Sequence, residues 1–139
     1  MRLSQKVAVI TGAASGIGEA SARRFIEEGC KVIIGDIQEK RGQALANELG
    51  QGAIFQLCDV TKEDNVATLI DVAVQHFGHL DIMLNNAGII GATGHIDEVI
   101  AAEWTATLDI MINGVFYGLK HAARVMKAQG YGSIISMSS

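Results

Sequence analysis

No stretch of this sequence is apolar for the roughly 20 residues that a membrane-spanning helix needs. Its apolar stretches, such as Val7 to Ile10 and the run up to Ile34 that follows Lys31, have the length of strands. Residues 1–10 carry neither the apolar block nor the small-residue cleavage site of a secretory signal. Basic runs are missing too. With 15 acidic against 11 basic residues the net charge is -4, which gives no electrostatic reason to expect nucleic acid or a membrane surface as partner. Cysteine is scarce: Cys30 and Cys58 are the only two. Both fall in or beside apolar runs, and they are read as reduced packing residues of a cytoplasmic protein with no disulfide. Neither they nor the four histidines show a metal-ligand spacing, so no metal site is expected. His76, His79, His95 and His121 read as surface or boundary residues. Repeats, low-complexity tracts and linkers are absent from the 139 residues, a length sufficient for one domain with a core.

What the sequence has is glycine and alternation. A β-rich run at 6–10 leads into a glycine-rich turn at 12–18, then a helix over 17–28 that Gly29 terminates. A second strand is predicted at 31–35, a helix at 39–49 closed by Gly50, and a third strand at 53–57. Thr61 with Asp64 reads as a helix N-terminus, the Thr side chain accepting from the backbone N–H three residues on. Behind it Val66, Leu69, Ile70, Ala73, Val74 and Phe77 recur at helical spacing as one buried stripe, and Gly78 closes that helix. A fourth strand at 80–84 precedes the turn Asn85-Asn86-Ala87-Gly88. One long helix is predicted over 103–129, with Trp104 packing near its start and Asp97, Glu98 and Glu103 solvated around it. A fifth strand follows at 133–137. Strands alternating with helices imply right-handed crossovers and a parallel sheet covered on both faces. The expected fold is α/β, a Rossmann-type doubly wound sheet with strands in the order 3-2-1-4-5, forming one domain over 1–139.

The segment Thr11-Gly12-Ala13-Ala14-Ser15-Gly16-Ile17-Gly18 sits between the first strand and the first helix. A backbone must turn tightly there and come close to a pyrophosphate. Gly12 permits the turn, Gly16 removes a side chain that would block the phosphates, and Gly18 lets helix and strand pack closely. Ser15 and Ile17 flank the approach, and the helix N-terminus offers unpaired N–H groups to the anion. Asp36 ends the second strand about 20 residues on, where a carboxylate accepts from both ribose hydroxyls. The same charge repels a 2′-phosphate, and Ile37, not an arginine, follows it. NAD is therefore the expected cofactor, in preference to NADP.

The glycine spacing of 11–18 resembles that of the short-chain dehydrogenase/reductase family. Three further segments match in order: Asp59-Val60 after the third strand, 85–88 after the fourth, and 136–139 after the fifth. The resemblance implies an NAD-dependent oxidoreductase moving hydride between a secondary alcohol or ketone and the nicotinamide. It implies that Asp59 by side chain and Val60 by main chain hold the adenine, and that Asn86, Ala87 and Gly88 line the cofactor near its ribose. It also implies Ser139 as the catalytic serine and, for complete members, a homo-oligomer.

The sequence departs from that family in two places. No Tyr-x-x-x-Lys exists: Tyr117 has Lys120 and His121 three and four residues on, and Tyr131 is followed by Ile135. Both tyrosines read as packing residues. Family members also carry an Asn four residues ahead of a Val-Phe pair, where Met111 stands here; Asn113 lies about 200° around the helix and does not take its place. The chain is therefore expected to be the cofactor-binding half of a longer protein, inactive alone, with its fifth strand an exposed edge. A non-catalytic NAD-binding module is the alternative reading. A methyltransferase shares the glycine turn and the acid, but 85–88 and 136–139 argue against it.

Overall fold

The computed structural model describes residues 1–138. Five parallel strands, β1 (Val7–Thr11), β2 (Lys31–Asp36), β3 (Ala53–Leu57), β4 (Ile82–Asn85) and β5 (Ser133–Ser136), form one sheet in the order β3-β2-β1-β4-β5. The helices are α1 (Gly16–Glu27), α2 (Glu39–Leu49), α3 (Glu63–Phe77), α4 (Ala101–Leu108) and α5 (Gly114–Gln129). The order and the doubly wound layering are those expected.

The two faces of β1 explain its unbroken apolar run. Val7 and Val9 point to one face, where they meet Val66, Leu69, Ile70 and Ala73 of α3 and Ala122 and Met126 of α5. Ala8 and Ile10 point to the other, toward Ala22 of α1 and Leu45 and Ala46 of α2. Because successive strand residues alternate sides, both sets must be apolar. The register pairs Val7 with Lys31 and Thr11 with Gly35; a slip by one residue would exchange the two packed faces. At the opposite end of the sheet Asp81 accepts from Lys6 Nζ and from the Val7 N–H, both at 2.9 Å. This ties the start of β4 to that of β1.

Several expectations need correction. The long helix is not continuous α-helix: it begins at Ala101, and a π-helical turn over Asp109–Asn113 separates α4 from α5. Thr61 does not cap α3, whose flanking residue is Lys62. Its hydroxyl donates instead to Asp59 Oδ1 at 2.7 Å, while its N–H reaches the same oxygen at 2.9 Å. An Asp two residues upstream offers the hydroxyl a nearer charged acceptor than the helix offers it a donor. Trp104 is half exposed and lies outside the core. His79 and His121 are boundary residues as expected, and each has an acidic partner, Asp81 at 2.9 Å and Glu63 at 3.0 Å. As expected, β5 is an exposed edge, with Ile135 43% accessible. Among the described residues no helix is long and apolar enough to cross a membrane, and no group of His, Cys, Asp and Glu is placed to hold a metal ion.

Candidate cofactor-binding site

Turns at the carboxyl ends of β1, β2, β3 and β4 converge on a cleft of about 440 Å³. It is lined by Gly12, Ser15, Gly16, Ile17, Asp36, Ile37, Asp59, Val60, Asn86, Ala87 and Gly88. Of the cofactor residues expected from sequence, only Gly18 stays behind this surface. Its place is structural. A Cβ on Gly18 would run into the Gly12 carbonyl and lie 2.6 Å from Asn86 Nδ2, so glycine is what lets α1 pack against the turn and β4.

The turn is shaped for an anion. Gly12 and Gly16 have φ of +64° and +57°, which L side chains rarely adopt. An added Cβ at Gly16 would meet no atom within 4 Å, because the space above it is the cleft. Bare backbone at the start of α1 therefore faces a volume a phosphate can enter.

Asp36 is 5% exposed, not a solvated strand-end acid. Oδ2 accepts from the Ala14 N–H at 2.9 Å and Oδ1 from the Gln38 N–H at 2.9 Å. Gln38 Nε2 also reaches Oδ1, at 3.4 Å, so of the carboxylate's roughly four acceptor positions one is left, on Oδ2, for a ribose hydroxyl. The carboxylate also holds the glycine turn against β2.

The fourth turn is built around Thr11. Its buried Oγ1 accepts from the N–H groups of Asn86 and Ala87, both at 3.1 Å. In return Asn86 Nδ2 donates to the carbonyls of Thr11 at 3.0 Å and Gly12 at 3.2 Å. Asn86 thus lines the cleft while its amide hydrogens fasten the glycine turn to β4. Asp59 is held by its two contacts from Thr61 to Oδ1, with Oδ2 left for the cleft.

Met111 sits over the fourth turn: a Cβ on Gly88 would lie 3.2 Å from its Sδ. Asn113 does not substitute for it, since its Nδ2 donates to Asp109 Oδ1 at 2.8 Å on an exposed surface. Ser139 lies outside the described residues. Tyr117 packs beside Phe116, ring centroids 5.8 Å apart, and against the core.

Sequence reasoning gave Thr11 no role, although its position at the strand end pointed to one. It also missed Gln38, Cys58, Ile89 and Ile110 as lining residues. Gln38 reaches Ser15 Oγ at 3.2 Å across the turn, a contact with no local sequence signature.

Cys58 lines the cleft yet is 2% exposed, as is Cys30. Burial pushes both thiols from 9.0 up to about 12, with nearby carboxylates adding to the rise. The folded state keeps protons that the unfolded chain releases near its ordinary pKa. The stability this contributes is complete below about pH 9 and is lost as pH rises toward 12. Denaturant midpoints should therefore fall between about pH 9 and 12. Neither thiol should react with iodoacetamide near pH 8 until the chain unfolds; rapid labelling of the folded protein would contradict the burial.

A parallel 3-2-1-4-5 sheet, with a glycine-rich turn opening α1 and a fixed carboxylate ending β2, defines the Rossmann-type class. Residues 6–139 match the family model described as short chain dehydrogenase, and the chain belongs to that family of oxidoreductases. It is 50% identical to tropinone reductase-like 1 of Erythroxylum coca, over 99% of this chain and 52% of that protein. It is also 50% identical to a mitochondrial borneol dehydrogenase of Lavandula x intermedia, over 99% of this chain and 53% of that protein. The crystal structure of an NAD+-bound xylitol dehydrogenase superposes with a TM-score of 0.94 at 32% identity, covering 100% of this chain and 55% of the other. The chain spans about half the length of the curated relatives it matches.

Proposed function

We propose that the cleft binds NAD and that the chain is the cofactor-binding part of an oxidoreductase acting on a secondary alcohol or ketone. The observation that carries this is Asp36: a buried carboxylate lining the cleft, fixed by two backbone N–H groups, with an acceptor position left on Oδ2. Such a group favours a ribose diol and opposes a 2′-phosphate by charge. In this reading the glycine turn and the α1 N-terminus hold the pyrophosphate, Asp59 and Val60 meet the adenine, and 86–88 line the nicotinamide half. Bound NAD would supply the hydride acceptor. Ser139 is the residue assigned to the reacting oxygen by position.

The names of the similar proteins, a reductase and dehydrogenases, support alcohol or ketone chemistry. The sequence contains no Tyr-x-x-x-Lys, so these 139 residues alone are expected to bind cofactor without turnover. A non-catalytic NAD module is the second reading, favoured by Met111 where the family carries an Asn. Buried free thiols suit a reducing cytoplasm, and the exposed stripe Ile112, Phe116 and Leu119 suits a homo-oligomer.

Calorimetric titration tests the cofactor. NAD should bind at least about tenfold more tightly than NADP, a difference of about 1.4 kcal/mol. Equal affinities, or a preference for NADP, would refute the assignment. Intact mass on the same sample establishes which residues were present.

A further inference from the structure

The cleft changes character along its length. Among the described residues its charged lining is Asp36, which ends β2, and Asp59, which follows β3. On the other side of the glycine turn, past β4, the lining passes to Gly88 and Ile89. Ile89 is 49% exposed, Ile90 92%, and Met111, over Gly88, 41%. This stretch is anchored to α4, because the Ala92 N–H donates to Thr107 Oγ1 at 2.9 Å. Thr107 and Met111 lie four residues apart, and the loop follows that side of the helix from Gly91 at Thr107 back to Gly88 at Met111.

If adenosine lies at Asp36 and the pyrophosphate at the glycine turn, the reacting half of the dinucleotide extends toward β4. We infer that Ile89, Ile90 and Met111 form the wall met by the substrate's carbon skeleton. That substrate is then an alcohol or ketone with a compact apolar body, and not a polyol. The inference rests on the proposed cofactor reading for its direction along the cleft. Its chemistry follows from the side chains: none of the three offers a hydrogen bond worth more than a weak thioether contact. A hydroxyl-rich substrate would lose water there without replacing it, whereas an apolar ring gains from contact.

The test uses the 139-residue chain with methyl-labelled isoleucine and methionine, free and with NAD added, titrated with 4-tert-butylcyclohexanol or xylitol. The cyclic alcohol should give saturable shifts at Ile89, Ile90 and Met111, with a Kd at least about tenfold below that of xylitol. Ile17 and Ile37, equally exposed at the charged end, should not respond in the free chain. Met111→Asn should weaken the cyclic alcohol several-fold. Equal response to xylitol, equal shifts at Ile17 and Ile37, or shifts that follow protein concentration instead of alcohol would each overturn the assignment. The last would mark a self-association surface. Failure of NAD to bind is read separately by calorimetry and would overturn the cofactor reading, while the free-chain shifts still judge the wall.

Discussion

Gly18→Ala is expected to destabilise the fold by about 1–3 kcal/mol and to reduce NAD affinity below detection by calorimetry. The new Cβ would meet the Gly12 carbonyl oxygen, Asn86 Nδ2 at 2.6 Å and Ala13 Cα at 2.9 Å. Two of those atoms are backbone, so no rotamer change relieves the contact. The third belongs to the amide that fastens the glycine turn to β4. One methyl group therefore separates α1 from the turn and releases the turn from its neighbour. Urea unfolding and titration on the same preparation check this; a variant matching wild type in both would show that the turn tolerates displacement.

Asp36→Ala should lower NAD affinity by about tenfold to a hundredfold, the loss of one hydrogen bond to a charged acceptor at about 1.5–3 kcal/mol. It should also move the NAD to NADP preference toward parity, since the charge that opposes a 2′-phosphate is gone. Stability falls as well, because the Ala14 and Gln38 N–H groups lose their acceptor. Asparagine is no gentle substitute. Whichever way its amide turns, an NH2 faces one of those N–H donors, whose carboxylate partners now sit at 2.9 Å. Affinities for both cofactors and a urea midpoint separate the effects. An unchanged preference in the alanine variant would mean that something other than this carboxylate selects the cofactor.

The fold was legible because its signals are local and redundant. Each strand is a short apolar run, and Gly29, Gly50 and Gly78 mark the helix ends to within two residues. The glycine turn, Asp36 and 86–88 were legible because each stands at or just past the carboxyl end of a strand, on the edge where such sheets bind ligands. The π-helical turn was not, since a single widened turn leaves the surrounding apolar spacing nearly intact and carries no residue signature. Thr61 misled because a Thr-x-x-Asp pattern near a helix start describes capping equally well whether or not Asp59 stands upstream to compete. The burial of Asp36 and the exchange between Thr11 and Asn86 depend on partners 22 and 75 residues away, beyond any window of periodicity.

That last exchange has a consequence for how the protein is made. β4 is fourth in the chain but sits beside β1, on the opposite flank from β2 and β3. On a ribosome, β1, the glycine turn and Asp36 emerge well before residues 85–88 can reach Thr11. Until β4 slots in, Thr11 has no donors from that turn and Gly12 no clamp. A nascent chain at that stage would hold the glycine-rich turn without the contacts that fix its geometry. The exchange that fastens the glycine turn can close only after the segment that lies 75 residues further along the chain has been made.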